Sequence, residues 1–202
     1  MFSFDRLRRK IENALWEWRL GITTRGTHVA EYSNDEHIFY GTNSYATTRK
    51  VLQSLALKED DTFVDLGSGK GRVVCLASLS RVAQVIGVDD AQDMCALARE
   101  NAARMKGRLS SITILQTQAQ NFDYFSGTVF YMFNPFGPKT LKVILERMKV
   151  GVTTHPRTIR IVYATPANEE LLRQSGWLFE YERWTSATHP GIDDTISFWT
   201  NR

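Results

Sequence analysis

The chain has 202 residues, 43% of them apolar and 23% charged, which is the ordinary composition of a folded globular protein. Two cysteines are too few for a disulfide scaffold, no apolar run approaches the roughly 18 residues of a membrane-spanning helix, and the N-terminus lacks a secretory signal pattern. We therefore expect a cytoplasmic location without integral membrane insertion. The net charge of +3 comes from residues 1–25, which hold six basic and three acidic side chains, whereas 19 of each sign balance in the rest. The absence of net charge after residue 25 disfavours a nucleic-acid-binding domain, because such domains usually carry a basic face.

An N-terminal helical extension over residues 1–44 precedes the main domain, which we place at residues 45–202. Within it, residues 4–20 are predicted to form an amphipathic helix that stops at Gly21, because apolar side chains recur there at helical spacing. These side chains are Leu7, Ile11, Ala14, Leu15 and Trp18. We favour a cap helix that packs on the domain. The basic residues and the tryptophans leave a second interpretation open, in which the helix makes peripheral contact with a membrane.

The rest of the chain alternates between strands and helices. Helices are predicted at residues 45–57, 72–79, 92–106, from 138 onward, and at 168–174. Strands are predicted at residues 62–66, 82–89, 111–117, 128–133 and 158–164, and two further strands with alternating side chains at 177–184 and 195–199. Strand and helix alternation favours a parallel sheet covered on both faces, and the last two strands read as an antiparallel hairpin. The fold class is therefore α/β, a three-layer sandwich with a mostly parallel sheet.

A glycine-rich turn follows the first strand, with Gly67, Gly69 and Gly71 at alternate positions and Asp65 just before them. Such a turn brings backbone amides close to a ligand at the carboxyl end of the sheet. Nucleotide-binding turns that hold a diphosphate have the different spacing G-x-G-x-x-G. The Asp65 carboxylate would repel a diphosphate but would suit an ammonium group.

A second carboxylate, Asp89, ends the next strand, twenty residues after Gly69. A carboxylate at this place can accept hydrogen bonds from both hydroxyls of a ribose. We expect the neighbouring Asp90 to cap the helix that follows. The ligand is therefore predicted to carry an ammonium group and a free ribose diol.

These residues resemble the first motif of the class I S-adenosylmethionine-dependent methyltransferases, an acid followed by glycines at alternate positions. The likeness covers roughly residues 45–200, and residues 63–73 are similar to the non-SET, histone-type lysine methyltransferase branch. It implies a Rossmann-like fold whose seven-strand sheet ends in a reversed hairpin, with S-adenosyl-L-methionine as cofactor. The cofactor-binding residues that it implies are Asp65, Gly67, Ser68, Gly69, Gly71 and Asp89. The family usually places an acid after the third strand, to bind adenine. In this chain Gln118 and Ala119 occupy that position, and the Gln118 amide can still form hydrogen bonds with the edge of the adenine base.

The fourth strand leads into Asn134, Pro135 and Phe136, which resemble the Asn/Asp-Pro-Pro-aromatic motif of amino-directed methyltransferases, with phenylalanine in place of the second proline. The resemblance implies a catalytic site in which the Asn134 side-chain oxygen accepts hydrogen bonds from an acceptor amine. Without it, Asn134 and Pro135 read as a turn into the next helix. Tyr40, Asn43 and Tyr45 precede the core where related enzymes close over the cofactor, and aromatic loop packing is the alternative for them.

The sequence thus favours an enzyme that transfers the methyl group of S-adenosylmethionine to nitrogen, with a protein lysine as the leading acceptor. A nucleic-acid amine methyltransferase and a non-catalytic module that binds S-adenosylmethionine are the alternatives. No metal is expected, because the four histidines lack the spacing of metal ligands.

Overall fold

The computed structural model describes residues 2–26 and 41–201, with side chains from residue 7 onward, so Tyr40 lies outside it. Seven strands form one sheet in the order β3-β2-β1-β4-β5-β7-β6, in which β7 is antiparallel to both of its neighbours and the other pairs are parallel. The strands are β1 Thr62–Leu66, β2 Gln84–Asp89, β3 Ile112–Gln116, β4 Val129–Phe133, β5 Arg160–Ala164, β6 Leu178–Trp184 and β7 Ile196–Asn201. The predicted mostly parallel sheet with its terminal antiparallel hairpin is confirmed.

Six helices accompany the sheet in the described residues. They are α1 Phe2–Leu20, α2 Tyr45–Ser54, α3 Arg72–Ala77, α4 Gln92–Arg104, α5 Pro138–Thr154 and α6 Glu170–Gln174. A short 3-10 helix at Ala119–Asn121 was not predicted. Several predicted elements were one to three residues too long, because residues at their ends belong to turns.

The sheet has an apolar core on each face, because successive side chains of a buried strand point to opposite sides. Phe63 and Tyr131 belong to the cluster shared with α1 to α4, whereas Val64 and Met132 belong to the cluster shared with α5 and α6. All five residues of β1 are buried, as expected for a strand covered on both faces. The fold is therefore the predicted three-layer α/β/α sandwich.

The strand register fixes where a site can form. Leu66, the last residue of β1, pairs with Val88 of β2 and with Met132 of β4 in parallel ladders. The loops after these three strands therefore open on the same edge of the sheet. Ligands of open α/β sheets bind at this carboxyl edge, where the strand order reverses.

Helix α1 packs on the domain, but through the side opposite to its predicted apolar face. Asn13 accepts a hydrogen bond from the backbone N–H of Tyr45 at 3.1 Å, and the Trp16 ring stacks on the Tyr45 ring with centroids 6.4 Å apart. Glu17 and Leu20 are buried on the same side. Leu7, Ile11, Leu15 and Trp18 are exposed instead, because polar partners on α2 and α3 hold the other side of the helix. No helix among the described residues has both the length and the apolar character needed to span a bilayer.

Candidate functional site

The glycine-rich turn between β1 and α3 is held against β2. The backbone N–H groups of Gly67 and Ser68 both donate to the carbonyl of Val88, at 2.8 and 3.0 Å. Gly67, Gly69 and Gly71 have φ angles of 78°, 50° and 81°, in the left-handed region where a side chain is strained. Three glycines at alternate positions are therefore what this tight turn requires, and its path brings bare backbone to the carboxyl edge of the sheet.

Asp89 ties this turn to the end of β2. Its Oδ2 atom accepts a hydrogen bond from the N–H of Gly69 at 2.8 Å, and its Oδ1 atom accepts one from the N–H of Ala91 at 3.0 Å. The predicted capping role of Asp90 is wrong, because the N-cap of α4 is Ala91. The carboxylate that organises this turn is Asp89, which is 5% exposed and lies at the site itself.

Asp65 is a buried carboxylate whose charge is poorly compensated. It is 3% exposed, and no hydrogen-bond donor reaches it from the part of the chain that the structure describes. Burial, and then the nearby charge of Asp89, raise the pKa of Asp65 well above its ordinary value. A cation bound beside it would supply the missing compensation, so this position suits a ligand with an ammonium group.

The loop after β4 touches the glycine turn. A Cβ atom added to Gly67 would lie only 2.5 Å from Cβ of Pro135, so the proline ring occupies the space that a side chain at position 67 would need. Asn134 has a φ of 41°, which is uncommon for a residue with a side chain. Its Oδ1 atom accepts a hydrogen bond from the Tyr163 hydroxyl at 2.8 Å. The structure thus brings Asn134 and Pro135 to the glycine turn, with the asparagine side chain held in one orientation.

The other predicted site residues lie further out. Gln118 follows β3, where its Oε1 atom accepts hydrogen bonds from the side-chain amides of Gln120 at 3.3 Å and Asn121 at 3.5 Å. Ala119 and Phe136 are buried in the core cluster on the α5 and α6 face. Phe136 therefore packs in the core, although the motif resemblance grouped it with Asn134.

A buried polar network holds the site from the α1 side, and sequence analysis missed it. The guanidinium of Arg72, the first residue of α3, donates to the Thr24 hydroxyl at 2.9 Å and to the Asn43 carbonyl at 2.8 Å. It also lies 3.8 Å from Glu17, which accepts hydrogen bonds from the Thr24 N–H at 2.7 Å and from its hydroxyl at 2.9 Å. Nothing in the spacing of these residues connects them, because they come from three distant segments.

Asn43 links this network to β4. Its side-chain nitrogen donates to the Tyr131 hydroxyl at 3.0 Å, and Tyr131 pairs in register with Asp65. The Asn43 Oδ1 atom and the Ser68 hydroxyl are buried without a hydrogen-bond partner among the described residues. Buried polar atoms are normally paired, so these two atoms mark places where a ligand can bind. The described residues hold no cluster of three or more histidine, cysteine, aspartate or glutamate side chains that could bind a metal ion.

Comparison with known proteins identifies the family. The model of the family described as "Histone methylation protein DOT1" matches residues 18–128, more than half of the chain. The chain belongs to the DOT1 family. This family is one of the class I S-adenosylmethionine-dependent methyltransferases, so the predicted family resemblance is confirmed.

Individual relatives of this DOT1-family protein are more distant. A ribosomal protein L11 methyltransferase of Syntrophotalea carbinolica is 35% identical over 98 residues, which cover 44% of this chain and 32% of that protein. The chain thus spans about a third of the length of this curated relative.

Solved structures share the fold. A candidate RNA methyltransferase from Pyrococcus horikoshii has a TM-score of 0.61 at 18% identity and covers 96% of this chain and 97% of its own. An RNA methyltransferase from Salinibacter ruber, in complex with S-adenosyl-L-homocysteine, has a TM-score of 0.57 at 17% identity. The match covers 80% of this chain and 94% of that one. At such identities the likeness concerns the fold alone.

The residues at the carboxyl edge fit S-adenosylmethionine. Its methionine part carries an ammonium group, which the poorly compensated Asp65 suits, and its ribose carries the diol that Asp89 can accept. The buried, unpartnered oxygen of Asn43 and hydroxyl of Ser68 offer further polar contacts. The glycine turn leaves space for a ligand close to the backbone.

Proposed function

We propose that this protein transfers the methyl group of S-adenosylmethionine to a nitrogen atom of a protein substrate, with a lysine side chain as the acceptor. The observation that carries the proposal is the contact between Gly67 and Pro135. It sets the loop suited to the cofactor directly against the loop with the amine-directed sequence Asn134-Pro135-Phe136. The acceptor amine and the sulfonium cofactor would meet between them.

In this proposal the cofactor is held from two sides. Asp65 faces its ammonium group, and Asp89 accepts hydrogen bonds from its ribose while keeping Gly69 in place. Gly67, Ser68 and Gly71 line the path of the methionine part, and Gln118 and Ala119 lie toward the adenine. A carboxylate can accept more than one hydrogen bond on each oxygen, so the backbone contacts of Asp89 do not exhaust it.

When bound, S-adenosylmethionine supplies a methyl carbon that is attacked by a nitrogen lone pair in line with the departing sulfur. The task of the chain is to align the acceptor and exclude water. A carbonyl oxygen has two lone pairs, and the Tyr163 hydroxyl uses one of those on Asn134. The second accepts an N–H of the acceptor amine and aims the nitrogen at the methyl carbon. Tyr163 is then a positioning residue.

A lysine acceptor must lose a proton before it can attack. From an ordinary pKa of about 10.4, the neutral amine costs about 4 to 5 kcal/mol at pH 7. Partly buried Phe133 lies against Gly41 beside this loop, and an apolar wall disfavours the charged ammonium form. The Phe133 side chain therefore favours the neutral amine, and the proton is given up to solvent before the methyl transfer.

A protein acceptor is favoured over nucleic acid because of the charge distribution. Beyond residue 25 the acidic and basic side chains balance, which leaves no excess of positive charge to hold a phosphate backbone. The two cysteines are free and buried, and we also propose a reducing, cytoplasmic location on that basis.

The test is incubation of the full chain with radiolabelled S-adenosylmethionine and fractionated cell lysate. We expect label in protein that resists nuclease, is removed by protease, and yields methylated lysine on acid hydrolysis. At a cofactor concentration below saturation, Asp89→Ala should lower the label by roughly tenfold or more. Asp90→Ala, which removes the neighbouring half-buried carboxylate, should retain it.

Other outcomes overturn the proposal in distinct ways. Nuclease-sensitive label with a steep dependence on salt would identify a nucleic-acid amine methyltransferase. Binding of the cofactor without label in any fraction would identify a non-catalytic module.

A further inference from the structure

Helix α1 exposes an apolar stripe to solvent. Leu7, Ile11, Leu15 and Trp18 are 55%, 52%, 60% and 81% exposed, and their spacing of four, four and three residues puts them on one side of the helix. The helix has 19 residues and is therefore about 28 Å long. A contiguous apolar surface of this kind marks an interaction site.

Folding does not require this stripe, because the opposite side of α1 already holds the helix on the domain. That side carries Asn13, Trp16, Glu17 and Leu20, which contact α2, α3 and the segment after α1. Arg9 adds an ion pair with Asp193 at 2.9 Å. The stripe is thus presented outward by a helix that is fixed in place.

Basic side chains border the stripe on both sides. At 100° per residue, Arg8 lies along one border and Lys10 along the other, and both are exposed. From residue 7 onward, where side chains are described, Glu12 is the acidic residue near this surface. Long basic side chains can rest their apolar stems on a membrane interface and keep the charge among the headgroups, and tryptophan favours the same zone. This arrangement matches helices that lie in the plane of an anionic membrane.

The stripe lies near the catalytic edge of the sheet. Asp193, the partner of Arg9, belongs to the loop between β6 and β7, and Ala164 at the carboxyl end of β5 pairs with Ile196 just after that loop. The N-terminal half of α1 is therefore at the same edge as the glycine turn. A surface bound by α1 would lie beside the site.

We propose that α1 is a membrane-surface anchor that binds bilayers containing anionic phospholipid through its apolar stripe and basic borders. A bilayer fits better than a protein groove because cations border the stripe on both sides and the net positive charge of the chain is confined to residues 1–25, most of which form α1. The helix lies on the membrane and does not cross it. This inference does not depend on the identity of the methyl acceptor.

The test is co-flotation of the full chain with vesicles of phosphatidylcholine, either alone or mixed with phosphatidylserine. We expect binding to the mixed vesicles that falls with salt, and little binding to phosphatidylcholine alone. The triple variant Leu7→Ser, Ile11→Ser, Leu15→Ser should bind at least tenfold more weakly. A matched triple variant at exposed apolar positions elsewhere, Leu109→Ser, Val143→Ser, Val150→Ser, should bind as the unchanged protein does.

A second measurement keeps the proposal falsifiable if the triple variant misfolds. Trp18 fluorescence should be quenched by brominated lipid in the mixed vesicles, and Trp18→Phe should remove most of that quenching. The proposal fails if the stripe variant and the unchanged protein bind vesicles equally. It also fails if no vesicle binds and the stripe instead mediates self-association or capture of a protein partner.

Discussion

Asp89 and Asn134 lie at the same edge of the sheet but differ in what holds them. Asp89 is fixed by the backbone N–H groups of Gly69 and Ala91. Asn134 is instead fixed by the Tyr163 hydroxyl and an uncommon backbone conformation. The roles we propose for them are therefore separable by mutation. The first affects binding of the cofactor and the second affects alignment of the acceptor.

We expect Asp89→Ala to weaken binding of S-adenosyl-L-homocysteine by roughly tenfold or more, because each hydrogen bond to a charged group contributes about 1.5 to 3 kcal/mol. Asn134→Gly should leave that affinity nearly unchanged and lower turnover by roughly a hundredfold through misalignment. Glycine is the suitable substitution because the φ of 41° at position 134 would strain an alanine. Calorimetry and the methylation assay measure the two effects, and equal losses of affinity in both variants would contradict the division of roles.

The polar residues at strand ends could be predicted from the sequence, because the carboxyl ends of parallel strands lie at one edge of the sheet. Asp65, Asp89 and Asn134 were found in this way, and their roles stay predictions. Phe136 was grouped with Asn134 by motif, yet it packs in the core, since a motif does not say which way each side chain points. Asn43 was left between two interpretations, and its contact with Tyr131 spans 88 positions of the chain.

At the scale of elements, α1 is joined to α3 by a buried ion pair rather than by its apolar face. Glu17 and Arg72 are 3% and 5% exposed. Their other polar contacts are made to Thr24 and Asn43 and, for Glu17, to the exposed Arg25 at 2.5 Å. The amphipathic pattern predicted the helix and its end at Gly21 correctly. It could not reveal which side would pack, because the partners of the polar side come from segments far along the chain.

We expect Glu17→Ala to lower the free energy of unfolding by roughly 3 to 5 kcal/mol, because it leaves the buried Arg72 guanidinium without its countercharge. Glu12→Ala, on the same helix but half-buried, should change it by less than about 0.5 kcal/mol. Urea denaturation of the cofactor-free protein measures both. A loss at Glu17 no greater than that at Glu12 would show that the pair does not hold α1.

At the scale of the whole molecule, the poorly compensated Asp65 makes folding depend on pH. Its pKa is raised in the folded state, so the native protein holds this proton more tightly than the unfolded chain does. Its contribution to stability is complete below the unfolded pKa of about 3.9 and is lost as pH rises toward the folded pKa, by up to about 1.4 kcal/mol per pH unit.

We therefore expect Asp65→Asn to gain stability relative to the unchanged protein as pH rises above about 4, in thermal unfolding of the cofactor-free form. Asp61 provides an opposite control. Burial raises its pKa, but hydrogen bonds from Lys58 and Thr128 and the charge of Arg160 outweigh burial and lower it. Its contribution is present above the unfolded pKa and is lost as pH falls through the lowered one. Parallel pH profiles for Asp65→Asn and the unchanged protein would refute the assignment.

The order of strands in the sheet was not predicted from the sequence. Strand positions follow from runs of apolar and alternating side chains, but periodicity carries no information on which strands are neighbours. The placement of β7 between β5 and β6 depends on contacts such as Ala164 with Ile196, which lie far apart in the chain. Local signals therefore established the class of the fold, and the full topology required the structure.

Arg72 connects the proposed cofactor site with the helix that we propose binds the membrane. It opens the helix after the glycine turn and also holds the segment that follows α1, so the same guanidinium serves both. The two binding events are then thermodynamically linked. If cofactor binding stabilises this contact and so raises the affinity of α1 for the membrane, membrane binding must raise the affinity for the cofactor by the same factor. Membrane binding and cofactor binding would thus be cooperative.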